Sequence, residues 1–279
     1  MELQLADKVI KSDLPAFVMG IVNCTPDSFY EKSRGGVSLA LSLIAEGADI
    51  IDIGSESSRP GSEYVSEVEQ IKRILGIVNE IRKHSNIPIS IDTRSRAVME
   101  AAWNEGADIL NDISAFEDDE ALAPFIAEKK LPVILMHKRG NPKEMQKNPI
   151  YKDAFKEVNE YLESRANFAL KNGISDKKII VDPGIGFGKD LEANTELIKK
   201  CGLLCAGKYP VVMALSRKDC IGEITGRAVE ERLSGTLTAN ILAVLNGANI
   251  LRVHDVKETV DSLKILKKIG SSKREEVNE

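Results

Sequence analysis

The sequence predicts a single-domain α/β protein built as a (β/α)8, or TIM, barrel, and three observations carry that reading. One phrase recurs: EGADIIDI from Glu46, EGADILNDI from Glu105 and NGANILRVHDV from Asn246. In each, Gly suits the left-handed position that ends a helix, and the apolar run behind it suits a buried strand. Short apolar runs alternate with amphipathic segments, which implies parallel pairing through right-handed crossovers. Eight such units of roughly 30 to 35 residues use nearly the whole chain of 279 residues, which favours a closed barrel over an open doubly wound sheet of the flavodoxin or Rossmann kind.

The template places strands near Phe17–Val22, Ile50–Ile53, Ile87–Ile91, Ile109–Ile113, Val133–Met136, Ile179–Val181, Val211–Leu215 and Ile250–Val253. Between them, Glu67–Arg82, Ala97–Glu105, Asp153–Lys171, Glu230–Asn246 and Val256–Lys268 carry apolar residues at helical spacing. No Pro/Gly-rich linker divides the chain, so residues 1–279 are expected to form one domain, with a polar tail after Gly270 (SSKREEVNE) that frays.

The composition is that of a globular protein: 43% apolar, 29% charged, net charge -5. No basic stretch interleaves with aromatics, which argues against a nucleic-acid partner. No apolar run approaches the roughly 18 residues that cross a bilayer, and the first residues lack the basic-then-apolar order of a signal peptide, so no membrane partner and a cytoplasmic location are expected. Cys24, Cys201, Cys205 and Cys220 are scattered and have no His at ligand spacing, so they are expected to pack rather than to bind metal or react.

A polar residue follows the apolar part of nearly every strand: Asn23, Ser55 and Glu56, Asp92, Asn111, His137, Asp182, Ser216 with Lys218, and Arg252 with His254. In a parallel barrel these ends converge on the face where active sites are built. Each Asp, Asn or Ser taken singly could instead cap the following helix, and Arg252 could serve a structural ion pair. Capping does not account for Lys218, Arg252 and His254, because cations belong at helix C-termini. The run DPGIGFGKD from Asp182 is neither GxxxxGK[ST] nor GxGxxG, which argues against a nucleotide loop. A pocket with Asp92, Asn111 and Asp182 inside and Lys218, Arg252 and His254 at its rim would accept hydrogen bonds from a planar, donor-rich heterocycle and hold an anionic leaving group such as a diphosphate.

The loops resemble those of bacterial dihydropteroate synthases along nearly the whole chain. The matching segments include MGIVNCTPDSF (Met19–Phe29), GSESSRPGS (Gly54–Ser62), PISIDT (Pro88–Thr93), ILNDI (Ile109–Ile113), VDPGIGFGK (Val181–Lys189), SRK (Ser216–Lys218), ERLSGT (Glu231–Thr236) and RVHDVKETV (Arg252–Val260). The resemblance implies a pterin-binding barrel, usually a homodimer packed through its later helices. It also implies condensation of 6-hydroxymethyl-7,8-dihydropterin diphosphate with p-aminobenzoate, a step of folate biosynthesis that sulfonamides block.

By the same resemblance, Asp92, Asn111, Asp182 and Lys218 line the pterin pocket. Asn23, Arg252 and His254 contact the diphosphate, with Mg2+ held at Asn23. Ser58, Arg59, Pro60, Phe187, Ser216 and Lys218 shape the p-aminobenzoate site. The residues expected to drive loss of diphosphate are Asp92, Asp182, Lys218, Arg252 and His254. A methyltetrahydrofolate-dependent methyltransferase and a non-catalytic pterin-binding homologue are the alternatives. Two departures stand out: SFYEKSRGG replaces the family's SFSDGG, leaving the role of Glu31 unassigned, and Asp219 follows SRK where Ser is common. Asp219 is expected to weaken binding of a carboxylate-bearing substrate by placing negative charge beside Lys218.

Overall fold

In the computed structural model, which describes residues 1–5, 9–24, 36–56, 65–140 and 150–270, strands and helices alternate from Phe17 onward. An antiparallel hairpin, β1 (Glu2–Gln4) and β2 (Val9–Lys11), comes first. There follow β3 (Phe17–Asn23), α1 (Gly36–Ala45), β4 (Ile50–Gly54), α2 (Glu67–His84), β5 (Ile89–Asp92), α3 (Arg96–Asn104), β6 (Ile109–Asp112), α4 (Leu122–Lys129) and β7 (Val133–Met136). The chain ends with α5 (Ala154–Lys171), β8 (Ile179–Asp182), α6 (Leu191–Lys200), β9 (Val212–Met213), α7 (Asp219–Thr225), α8 (Leu233–Leu245), β10 (Ile250–Val253) and α9 (Val256–Gly270). The strand order β8-β7-β6-β5-β4-β3-β10-β9 is parallel throughout, and a bridge between Val181 and Val211 joins its two ends. The fold is therefore the (β/α)8 barrel that the alternation predicts.

The recurrent phrase makes the same junction each time. Gly47, Gly106 and Gly247 take φ of +101°, +101° and +106°, ending α1, α3 and α8. The Asp or Asn two residues after each Gly then latches the start of a neighbouring strand. Asp49 accepts the Val18 N–H at 2.8 Å, Asp108 the Ile89 N–H at 2.9 Å, and Asn249 the Val211 N–H at 2.9 Å. Helix starts follow local chemistry too: the Ser66, Ser95, Asp153 and Asp190 side chains cap α2, α3, α5 and α6.

Two expected elements are shorter than their apolar pattern. The segment Glu230–Asn246 becomes helical only at Leu233, because residues 229–231 form a separate tight turn. The strand expected over Val211–Leu215 pairs with β10 only at Val212 and Met213, with Val211 bridging to Val181, since the chain then enters a turn in which Arg217 takes φ +56°. The expected tail after Gly270 lies outside the described residues.

Period-two alternation divides the apolar side chains into two cores. Val18, Ile51, Ile53, Ile91, Leu110, Leu135 and Val181 point outward and pack with the helices. Phe17, Met19, Ile50, Ile109, Ile134, Ile180, Val212 and Ile250 fill the barrel interior at the strand starts, where Leu3 and Leu5 of the N-terminal hairpin close it. Leu5 is fully buried. Leu5→Ala is expected to cost about 2–5 kcal/mol of stability, read from chemical denaturation, while leaving activity unchanged, because it opens a cavity at the end of the barrel opposite the polar strand ends.

Candidate active site

The same alternation builds the polar cup. Ile50, Ile109, Ile180 and Ile250 point into the barrel, so the residues two further along, Asp52, Asn111, Asp182 and Arg252, point inward one layer nearer the C-terminal mouth. Asn23 and Asp92 reach that mouth at the ends of β3 and β5.

Arg252 lies at the centre of the cup. Its Nη2 is 2.6 Å from Asp52 Oδ2 and 3.0 Å from Asp92 Oδ2, and its Nε donates to Asp52 Oδ2 at 2.7 Å. Asn111 Nδ2 reaches both Asp52 oxygens at 3.3 Å. Burial pushes the Asp92 carboxyl above the usual range, and the Arg252 guanidinium pulls it back. Burial also raises the Asp182 carboxyl, against Lys218 and the Gly184 N–H, which donates to its Oδ1 at 2.7 Å.

Lys218 approaches from the opposite side. Its Nζ donates to the Ile185 carbonyl and lies 5.0 Å from the centre of the Phe187 ring. Burial lowers its amine to about 8, with Asp182 opposing the shift. His254 Nδ1 is 2.9 Å from Ser216 Oγ, which also accepts the His254 backbone N–H at 3.2 Å. The Ser216 hydroxyl therefore orients the imidazole through Nδ1. Burial, then Arg252, depresses the His254 pKa to about 3, so His254 is a neutral imidazole where the sequence reading had expected a cation.

Arg217 turns these groups toward one another. It is buried, donates twice to Asp255 at 2.9 and 2.8 Å and to the carbonyls of Val229 and Glu230 at 2.9 Å, and so fixes the turn carrying Ser216 and Lys218 against the end of β10. Asp219 begins α7 with its carboxylate 2.9 Å from Arg232 Nη1, so the negative charge beside Lys218 is matched by a guanidinium.

Asn23, Asp92, Asn111, Asp182, Phe187, Ser216, Lys218, Arg252 and His254 thus gather at one mouth. Three residues of the polar series serve the scaffold. Ser55 binds Gln70, Glu56 pairs with Arg94 at 2.5 Å, and His137 is buried against Lys189. Ser58, Arg59, Pro60 and Glu31 lie outside the described residues. The cysteines pack: Cys201, Cys205 and Cys220 are buried, and burial raises the Cys24 and Cys205 thiols to about 12.

The sequence reading missed Asp52. Aligning the recurrent phrases finds it, because Asp52, Asn111 and Arg252 are each the seventh residue of their copy.

The mouth suits Mg2+ held largely by a substrate. A Cβ placed on Gly54 would lie 3.7 Å from both Asn23 Oδ1 and Asp92 Oδ2, so two hard oxygens border this glycine, the second of them already met by Arg252. Among the described residues no cluster of three or more His, Cys, Asp or Glu could hold an ion alone. Phosphate and water ligands would therefore complete the shell, as Mg2+ prefers.

The model of the pterin binding enzyme family matches residues 19–254. Dihydropteroate synthase of Haemophilus influenzae is 39% identical over 270 residues, covering 95% of this chain and 98% of its relative. The structure of the Yersinia pestis dihydropteroate synthase with a sulfonamide drug superposes with a TM-score of 0.91 at 34% identity, over 98% of this chain and all of the other. The Xanthomonas albilineans dihydropteroate synthase with 4-aminobenzoic acid gives a TM-score of 0.89 at 37% identity, over 98% and 99% of the two chains. The polar cup and the family match from β3 to His254 lead to one assignment: the chain belongs to the pterin binding enzymes and, among them, to the dihydropteroate synthases.

Proposed function

We propose that this chain condenses 6-hydroxymethyl-7,8-dihydropterin diphosphate with p-aminobenzoate, giving 7,8-dihydropteroate and diphosphate in folate biosynthesis. The observation that carries the reading is the cup itself: buried carboxylates and an amide inside, with a guanidinium, an amine and a neutral imidazole at the rim. Asp92, Asn111 and Asp182 accept hydrogen bonds from the donor-rich pterin, and Lys218 lines the same pocket. Asn23, Arg252 and His254 take the diphosphate. Nε and Nη2 of Arg252 are engaged by carboxylates, which leaves Nη1 to face the anion.

The bond from the pterin methylene carbon to oxygen breaks first, its electron pair leaving with the diphosphate. The electron-rich dihydropterin carries the resulting positive charge. Asp92 and Asp182, raised by burial, are stabilised as carboxylates by that charge and so favour the transition state over the neutral substrate. Arg252 and His254 hold the departing oxygens. Asn23 would hold Mg2+, which would supply further positive charge to the diphosphate. The aniline nitrogen then attacks the methylene carbon and passes its proton to water or the released diphosphate, needing position more than activation. Phe187, Ser216 and Lys218, with Ser58, Arg59 and Pro60, shape its site.

The exposed apolar side chains Ile224 on α7 and Leu242 and Leu245 on α8, at 60%, 51% and 63% exposure, support a homodimer through these helices. No helix among the described residues is long and apolar enough to cross a membrane, and the assigned pathway supports a cytoplasmic location.

Three outcomes are expected. Purified protein forms dihydropteroate only with both substrates and Mg2+, chelation stops turnover, and Arg252→Ala lowers kcat by about 10²-fold. Pterin binding without product would instead support a non-catalytic or methyltransferase reading. The value of kcat/KM for the pterin diphosphate falls as pH rises through about 8, because the Lys218 ammonium is lost above that pH, and Lys218→Met removes this limb. Sedimentation gives a dimer that L242E/L245E converts to monomer; a monomeric wild-type chain removes the interface.

A further inference from the structure

The loops leaving β7 and β8 lie backbone against backbone. Gly184 and Gly188 take φ of +66° and +64°, and a Cβ on either would fall 1.9 Å from the His137 carbonyl oxygen or 2.3 Å from that of Arg139. One buried amine ties this contact together. Lys189 is 2% exposed, and its Nζ lies 2.9 Å from His137 Nδ1, 2.9 Å from the Gly184 carbonyl oxygen and 3.0 Å from that of Phe187. The His137 carbonyl oxygen at 3.4 Å is a fourth polar neighbour, and burial holds the Lys189 amine well below the usual lysine range, so the tie is a set of hydrogen bonds and does not depend on a buried charge. His137 is held neutral by burial and by Lys189, so its Nδ1 lone pair is available to accept. Around this centre, Asn194 Oδ1 accepts the Gly186 N–H at 2.8 Å, and Lys218 donates to the Ile185 carbonyl. The Tyr151 hydroxyl donates to the Gly188 carbonyl at 2.8 Å. The loop from Gly184 to Gly188 is therefore fastened from within by Lys189 and from the cup by Lys218, with the Phe187 ring beneath the Lys218 ammonium.

We propose that Lys189, seated on His137, is a positioning residue for the aromatic amine substrate: it holds the Gly184–Phe187 backbone so that Phe187 and Lys218 present a fixed wall to that substrate's ring. This rests on the synthase reading above. Lys189 is the lysine that gives the run its likeness to a phosphate loop, but it turns inward onto carbonyls. Of the strand-end residues assigned to the pterin, Asp92 and Asn111 are positioned by the sheet away from the loop, and Asp182 meets it through the Gly184 N–H. Loosening the loop therefore penalises the amine more than the pterin.

The test compares wild type with Lys189→Met, which keeps the length and buried character of the side chain, and with Tyr151→Phe, which removes one tie without touching the core. For Lys189→Met, KM for p-aminobenzoate is expected to rise about tenfold, while kcat and KM for the pterin diphosphate change by no more than about threefold. Amide exchange is expected to quicken over residues 184–188 and to stay unchanged in the barrel strands. Tyr151→Phe moves the same two readouts in the same direction by less, and it carries the test if Lys189→Met does not fold. Variants matching wild type in both readouts, or both KM values rising together, overturn the proposal while the synthase reading stands. A wild-type protein that forms no dihydropteroate overturns the synthase reading and this assignment with it.

Discussion

Everything in the cup depends on keeping one guanidinium charged inside a barrel. Arg252 is partly buried, its side chain 19% exposed, and an unpaired charge there would be costly. It is held because Asp52 and Asp92, from strands distant in the chain, meet it at 2.6 and 3.0 Å. Asp52 in turn is fully buried and is tolerated only because Arg252 and Asn111 donate to it. Charge burial and strand register therefore specify each other. A slip of one residue in β4 or β10 would turn Asp52 or Arg252 into the apolar layer between barrel and helices.

This interdependence explains what could be read in the sequence. The barrel was legible because the helix-to-strand junction is local chemistry: a left-handed Gly, then an apolar run, seen at Gly47, Gly106 and Gly247. Most polar strand ends were legible for the same reason. Asp52 was legible only by aligning the repeated phrases, because it lies inside IIDI and a continuous apolar run by itself hides which residues face inward. In ILNDI the inward residue is Asn111, while Asp112 turns out to accept from the Ser114 and Phe116 N–H groups. No local signal separates the two. His137 and Lys189 were illegible as a pair because their partnership is a tertiary contact across 52 residues, and each resembles a ligand-facing polar residue when taken alone.

The neutral imidazole of His254 follows from placement as well. A histidine two residues beyond Arg252 on an inward-facing register shares the arginine's enclosure, and the arginine's field favours the uncharged ring. Ser216 then fixes the orientation of the ring. Arg217 completes the arrangement at the expense of a left-handed backbone, its side chain tying the turn after β9 to Asp255 after β10. Strain of this kind persists only where surrounding contacts over-determine the conformation, and here two ion-paired oxygens and two carbonyls do so.

The charges of the cup also argue for the order of bond breaking. Asp52, Asp92 and Asp182 face Arg252 and Lys218, so the fully ionised cup holds one more negative than positive charge. Burial resists that state, as the raised Asp92 and Asp182 carboxyls record. A cation forming on a bound ring relieves it, and the relief grows as the leaving group departs. A mechanism in which the amine attacks before the diphosphate leaves would develop less charge on the ring and draw less from these fixed groups. The interaction that lets the barrel bury Arg252 thus also sets aside Asp92 and Asp182 for a substrate that becomes positive only as it reacts.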